Sequence, residues 1–139
     1  IEKKYKLGII PHYIDVPTFN KIGYMKDDTI IIDVTDPIET VVSNIQSCEY
    51  TISSSLHGII VSHAYNVRSM WIRMSDLIVG GNFKFRDYYS SVIEKGWENL
   101  SPHIYKEPVA IDNMIDLINS YPNPEFPINT RHILDLCPF

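Results

Sequence analysis

Residues 29–74 alternate between short β-branched runs and apolar residues at helical spacing, and this alternation constrains the fold more than any other feature of the sequence. Residues 29–34 are nearly all apolar, which predicts a strand buried on both faces. Predicted strands at 50–53 and 67–74 enclose a predicted helix at 56–65, and a helix with its apolar stripe from Ile38 to Ile45 precedes them. This order predicts an α/β fold with a mostly parallel sheet flanked by helices.

The ends of the two helices carry local signals. Asp36 is expected to cap the first helix, with Pro37 at its first position and Glu39 three residues after the cap. Asn66 predicts the end of the second helix. Outside this region we predict a strand at 7–10, an irregular connection at 15–28, and helices at 83–93, 109–119 and 130–136.

Length and composition exclude several classes of protein. The 139 residues suit one domain, and 45% apolar with 21% charged residues is typical of a globular chain. A net charge of −5 disfavours a general binder of nucleic acid or anionic membranes. No apolar run approaches the roughly 18–20 residues of a membrane helix. We expect no transmembrane segment and a cytoplasmic protein in which Cys48 and Cys137 are free thiols, with Cys48 buried.

The strongest candidate for a binding site is the segment at 53–58, which joins a predicted strand to a predicted helix. Parallel sheets bind ligands at the carboxyl ends of their strands, and a helix start attracts anions. Ser54 and Ser55 offer hydroxyl donors, and Gly58 would let a ligand approach the backbone closely. His57 could donate to a phosphate or transfer a proton near neutral pH. The alternative is that a serine only caps the helix and His57 packs or faces water, and the residues alone leave both interpretations open.

The distribution of charge also favours an anion site. Residues 50–75 contain no Asp or Glu but include Arg68 and Arg73, and Lys84 and Arg86 follow soon after. An acidic chain therefore keeps negative charge away from the suspected site. The alternative is that this window is the buried middle of the sheet, where charged residues are rare.

Weaker candidates lie elsewhere in the chain. His12 follows the first predicted strand and could reach the same crevice, and Asp87 and Tyr88 lie in the basic segment after the acid-free window. His63 comes six residues after His57, about 120° away around a helix, so the two histidines are not expected to share a ligand. Without paired cysteines or metal-binding histidine spacing, we expect no metal site.

Three segments together resemble a known family. The sequence ISSSLHGIIVSHAY at 52–65 is similar to the signature of the polysaccharide pyruvyl transferase family. PHY at 11–13 resembles the end of a strand in that family, and NFKFRDYYSS at 82–91 resembles its FKF.DYY.S segment. The final CPF at 137–139 is loosely similar to the family's ending, whereas the resemblance is good over residues 7–93.

The resemblance implies transfer of a pyruvyl group from phosphoenolpyruvate to two hydroxyls of a sugar in an exopolysaccharide or a cell-wall glycan precursor. No cofactor is implied besides phosphoenolpyruvate as the donor substrate. The implied fold is Rossmann-like and resembles the C-terminal domain of a two-domain, glycosyltransferase-B-type enzyme. Residues 1–139 are then one domain, starting abruptly at Ile1, and we expect a preceding N-terminal domain in the same protein. The cytoplasmic location would include the inner face of the cell membrane.

The resemblance implies that the donor lies against Leu56, His57 and Gly58. The resemblance and the chemistry of the residues together favour a mechanism in which His57 is the acid/base. Arg73, Lys84 and the helix start are candidate anion-binding groups, and Asp87 and Tyr88 could orient them or touch the acceptor. A related member has an arginine where this chain has Ser55, so part of the donor binding must come from elsewhere.

Two other functions stay open. A nucleotide-sugar-binding domain of a glycosyltransferase would use the same crevice, but it needs a carboxylate to hold the ribose, and the window at 50–75 contains none. A non-catalytic domain that supports its partner would lack binding of small anions. We also expect the isolated chain to fold without catalysing the reaction, because the acceptor would come from the other half of the cleft.

Overall fold

In the computed structural model, the described residues are 2–75 and 81–125, and they form a parallel sheet flanked by helices. The strands are β1 (Tyr5–Ile10), β2 (Thr29–Ile31), β3 (Cys48–Ser53), β4 (Arg68–Arg73) and β5 (His103–Ile104). The helices are α1 (Val16–Ile22), α2 (Ile38–Gln46), α3 (Leu56–Ala64), α4 (Gly81–Val92) and α5 (Ile111–Ser120), with 3₁₀ turns at Tyr13–Asp15 and Trp97–Asn99. The predicted Rossmann-like α/β fold is confirmed.

The strand order within the described residues is β2-β1-β3-β4-β5, and every neighbouring pair is parallel. The chain passes from β1 outward to β2 and then returns to place β3 on the other side of β1. The order therefore reverses between β1 and β3, where Ile9 lies opposite Ile52. In open α/β sheets such a reversal leaves a crevice at the carboxyl ends of the two strands, and ligands bind there.

Helices cover both faces of this sheet. On one face, Ile9, Ile52 and Met70 pack with residues of α1 and α5 in a common core. On the other face α2, α3 and α4 pack on the sheet. The ring of Trp71 on β4 stacks on the ring of Phe85 on α4, with centroids 4.5 Å apart and planes 6° apart. This stacking fixes α4 against the sheet next to α3.

Two predictions about the first third of the chain are wrong. The connection expected to be irregular at 15–28 contains α1, because Pro17 lies in the first helical turn, where its missing N–H is tolerated, and Phe19 anchors the helix in the core. The strand expected to be buried on both faces ends at Ile31 and is half-buried throughout. Its position at the edge of the sheet explains the exposure.

The start of α2 also differs from the prediction. The N-cap is Pro37, whose carbonyl accepts from the N–H groups of Thr40 and Val41, and no side chain caps the helix. Asp33 shapes the turn before it, since its Oδ1 accepts from the N–H and hydroxyl of Thr35 at 2.8 and 2.6 Å. Asp36 therefore lies one residue too early to be the cap.

The predictions for the end of α3 and for Cys48 are confirmed, whereas those for the C-terminal segment concern residues that the structure does not describe. Asn66 has a φ of +61° just after α3, as expected of a helix stop. Cys48 is buried and free; its thiol donates to the carbonyl of Asn44 at 3.2 Å, and burial raises its pKa to about 12. The predicted helix at 130–136 and Cys137 lie outside the described residues. No helix in the described ranges has both the length and the apolar character needed to cross a bilayer.

Candidate functional site

The loops that follow β1 and β3 are joined at the carboxyl edge of the sheet. The N–H of Ser54 donates to the carbonyl of Ile10 at 3.2 Å. The N–H of His12 donates in return to Oγ of Ser54 at 2.9 Å. These two bonds hold His12 beside the turn that leads into α3. The segments that carry His12 and His57 are therefore neighbours at the reversal of strand order.

Ser53 and Gly58 shape this turn from within. Oγ of Ser53 accepts from the N–H of Ser55 at 3.0 Å and lies within 3.0 Å of the carbonyls of Ile10 and Ser55. A Cβ added at Gly58 would lie 2.5 Å from that Oγ and 2.8 Å from Cγ2 of Ile10. The side of Gly58 that carries no Cβ thus faces the sheet. The close packing of α3 on the sheet is sufficient to require a glycine here, and no ligand is needed to explain it.

Three groups that can carry positive charge lie close together at this edge: His12, His57 and Lys84. His57 is exposed in the first turn of α3. Partial burial lowers the pKa of its imidazole, and repulsion from His12, when that ring is charged, and from Lys84 lowers it further. Lys84 likewise lowers the pKa of His12. A bound anion would offset the repulsion that the two histidines experience from Lys84, so this group is suited to an anion.

A buried carboxylate, Asp15, lies near this group and was missed by the sequence analysis. Asp15 is completely buried at the end of the first 3₁₀ turn, and one carboxylate oxygen, Oδ1, accepts from the hydroxyl of Ser75. Within the described ranges its Oδ2 has no hydrogen-bond partner. Its negative charge raises the pKa of His12, against the larger lowering caused by burial. The signal in the sequence that could have indicated Asp15 is its position, four residues after Pro11, which ends the first predicted strand.

The remaining predicted residues are placed around the same edge or on α4. Arg73 ends β4 at the carboxyl edge and is half-buried. Ser55 is the buried N-cap of α3 but makes no side-chain bond to the helix, and Leu56 packs partly against the apolar cluster between α3 and α4. Asp87 is exposed, three residues after Lys84.

The structure does not bring Tyr88 into this group. Tyr88 is buried between α3 and α4, where its hydroxyl lies 2.7 Å from Nδ1 of His63 and the two rings stack. Burial raises the pKa of Tyr88 and lowers that of His63 to about 3, so His63 is neutral. His63 therefore lies inside the helix interface, whereas His57 is exposed.

Two further features concern other kinds of site. Among residues 2–75 and 81–125, no three or more His, Cys, Asp or Glu side chains are grouped so that they could hold a metal ion. At the opposite, amino edge of the sheet lies an open groove of about 730 Å³. Its charged lining is mixed and comprises Lys3, Lys6, Arg68, Glu49, Asp112 and Asp116. The group formed by His12, His57 and Lys84 lies at the other, carboxyl edge of the sheet, with the buried Asp15 beside it.

A family model matches the part of the chain that holds the turns after β1 and β3. Residues 3–76 match the family model described as polysaccharide pyruvyl transferase, and this span includes His12 and the turn with His57. An uncharacterized protein of Acanthamoeba polyphaga mimivirus is 34% identical over 93 residues, which cover 64% of this chain and 32% of that protein. The chain thus spans about a third of the length of this curated relative. No solved structure gives a significant match.

Proposed function

Because the chain belongs to the polysaccharide pyruvyl transferase family, we propose that it binds phosphoenolpyruvate at the carboxyl edge of the sheet and supplies the proton that starts pyruvyl transfer. The observation that carries the proposal is the hydrogen bond from the N–H of His12 to Oγ of Ser54, which holds His12 beside the turn with His57 at the reversal of strand order. Lys84 acts electrostatically on both histidines. A cluster of basic groups in that crevice suits a small, highly charged anion.

The donor has two anionic ends, a phosphate and a carboxylate. Lys84 and the first backbone N–H groups of α3 are the groups we assign to one of them, since a helix start favours negative charge. Arg73, which ends the neighbouring strand, is assigned to the other. Arginine binds carboxylate and phosphate oxygens through two parallel hydrogen bonds, which also orients the donor.

The proposed reaction begins when protonated His57 gives a proton to the methylene carbon of phosphoenolpyruvate. The electron pair of the carbon–carbon double bond forms the new C–H bond and leaves the central carbon electron-poor. A first sugar hydroxyl adds to that carbon and releases its proton, which restores His57. Phosphate then leaves with the electron pair of its C–O bond. A second hydroxyl adds to the same carbon, its proton departs with the phosphate, and a cyclic ketal results.

The surroundings of His57 couple its protonation to donor binding. In the free protein, burial and the positive charge of Lys84 lower the pKa of His57, so its neutral form predominates near neutral pH. A bound anion neutralises the effect of Lys84 and favours the charged imidazolium. We therefore expect His57 to gain its proton when the donor binds. The protonated imidazole, which acts as the acid, is then present mainly in the complex with the donor.

The acceptor is proposed to bind to another domain of the same protein. The chain covers about a third of the viral relative, which leaves room for such a domain in that protein. Two-domain enzymes of this kind hold their two substrates on opposite walls of a cleft. The isolated chain is accordingly expected to bind the donor without making the ketal at an ordinary rate.

A calorimetric titration of the chain tests this proposal. Phosphoenolpyruvate should bind the wild-type chain, and Lys84→Ala should weaken binding about tenfold, because a hydrogen bond to a charged group is lost. Lys95→Ala, an exposed lysine beyond the end of the same helix, should bind like the wild type. Binding of a nucleotide-sugar but not of phosphoenolpyruvate would favour a glycosyltransferase domain, and absence of all small-anion binding would favour a supporting domain.

A further inference from the structure

The ring of His12 is fixed by a backbone hydrogen bond. The N–H of Ile14 donates to Nδ1 of His12 at 3.1 Å. A backbone N–H always carries its hydrogen, so Nδ1 must be the ring nitrogen without a proton. In neutral His12 the proton is therefore on Nε2, which is a donor and not an acceptor.

The surroundings keep His12 in this neutral form. Burial lowers its pKa, Lys84 lowers it further, and the negative charge of Asp15 opposes both only in part. Protonation would place a hydrogen on Nδ1 and break the bond from Ile14, and this cost opposes the gain of a proton even when an anion is bound. The ring also packs on that of Tyr13, with centroids 4.5 Å apart, so its orientation is held.

We infer that His12 is a neutral hydrogen-bond donor that binds an oxygen of the anionic substrate through Nε2–H and positions it, and that His12 does not exchange protons in the reaction. The inference rests on the proposed function, in which His57 is the acid/base. The inference gives different roles to His12 and His57, although the two histidines lie in the same group at the carboxyl edge. In this tautomer Nε2 cannot accept a proton from a sugar hydroxyl, whereas it can donate to a phosphate or carboxylate at any pH at which the ring is neutral.

Nuclear magnetic resonance tests the tautomer directly. A long-range ¹H–¹⁵N spectrum of the wild-type chain distinguishes protonated from unprotonated ring nitrogens. Between about pH 6.5 and 8, His12 should show a protonated Nε2 and an unprotonated Nδ1, before and after addition of phosphoenolpyruvate. The Nε2–H resonance should move when the anion binds. A proton on Nδ1, or an Nε2–H that neither phosphoenolpyruvate nor inorganic phosphate moves, would overturn the inference.

Two substitutions separate donation from the structural bond. His12→Asn keeps an oxygen near the position of Nδ1 that can accept from Ile14 but lacks a group at Nε2. His12→Gln places an N–H near the position of Nε2 but lacks the acceptor. We expect His12→Asn to weaken anion binding about tenfold, and His12→Gln to bind more tightly than His12→Asn. Wild-type binding by His12→Asn would show that the ring serves only the backbone of the turn.

The choice of anion keeps this inference distinct from the proposed function. If the chain binds inorganic phosphate but not phosphoenolpyruvate, the proposed function fails, and the order of the two His12 variants is still measured with phosphate. If phosphoenolpyruvate binds and the two variants reverse their order, the proposed function stands and the role of His12 does not.

Discussion

The hydroxyl of Tyr88 lies 2.7 Å from Nδ1 of His63, inside the interface between α3 and α4. The two residues come from the helices that also carry the proposed donor-binding groups. Lys84 lies one turn before Tyr88 on α4, and His57 lies less than two turns before His63 on α3. This buried pair therefore joins the two helices, and the stacking of Trp71 on Phe85 holds α4 against the sheet.

Tyr88→Phe should destabilise the fold while leaving donor binding intact. The substitution leaves the buried Nδ1 of His63 without its hydroxyl partner, which costs about 1–3 kcal/mol of the free energy of unfolding. Urea denaturation measures this loss, with Tyr121→Phe as a control, since the bond from the Tyr121 hydroxyl to the Ser101 carbonyl is exposed. A large loss of affinity for phosphoenolpyruvate at unchanged stability would instead place Tyr88 in the site.

The buried His63 should make stability depend on pH. Its pKa is about 3 in the folded protein against an ordinary value of 6.5, so the unfolded chain binds more protons between these values. The free energy of unfolding should therefore fall as the pH decreases below 6.5, by up to about 1.4 kcal/mol per pH unit.

A comparison with His63→Gln isolates this contribution. His12, His57 and His103 also have lowered pKa values, and they remain in the variant. Urea denaturation at about pH 7 and pH 5 should show a smaller loss of stability in His63→Gln than in the wild type. Equal losses in the two proteins would mean that His63 does not stay neutral in the fold.

Gly58→Ala should destabilise the protein because its Cβ has no room. The new methyl would meet Oγ of Ser53 at 2.5 Å and Cγ2 of Ile10 at 2.8 Å, both in the buried interior. Crowding of this kind costs about 1–3 kcal/mol. The same substitution in a Ser53→Ala background should cost less, since one of the two crowding atoms is removed. An equal cost in both backgrounds would contradict this packing account.

Local patterns in the sequence were sufficient to place His57, but they could not place its neighbours. The spacing of apolar residues predicted β3 and α3, and the turn between them follows from their order along the chain. The proximity of His12 depends on β1 being the neighbour of β3, and that strand order is decided by the packing of distant segments. A parallel sheet places the carboxyl ends of all its strands at one edge, but the prediction of such a sheet does not say which strands are neighbours.

The errors have physical causes as well. Pro17 in the sequence suggests irregular structure around Asp15, although proline is tolerated in a first helical turn. The position of Tyr88 in a basic segment suggests a residue of the site, but the structure buries it between two helices. Its partner, His63, lies 25 residues earlier, and no local pattern indicates that contact.

His57→Ala should remove most of the activity of the complete enzyme without loosening the fold. We expect turnover of pyruvyl transfer to fall about 10²–10⁴-fold, the usual effect of losing an acid/base. The melting temperature should change little because His57 is exposed. His103→Ala, at β5 and outside the basic group, is the matched control. Activity retained by His57→Ala would assign the proton transfer to another residue.

The most direct measurement is a chemical-shift map of the chain titrated with phosphoenolpyruvate, because the two edges of the sheet offer distinct basic groups. Our account predicts shifts of His12, His57 and Lys84 at the carboxyl edge. Lys6 and Arg68, in the groove at the amino edge, should remain unmoved. Shifts confined to the amino edge, or no shift at millimolar phosphoenolpyruvate, would contradict the assignment of the donor site.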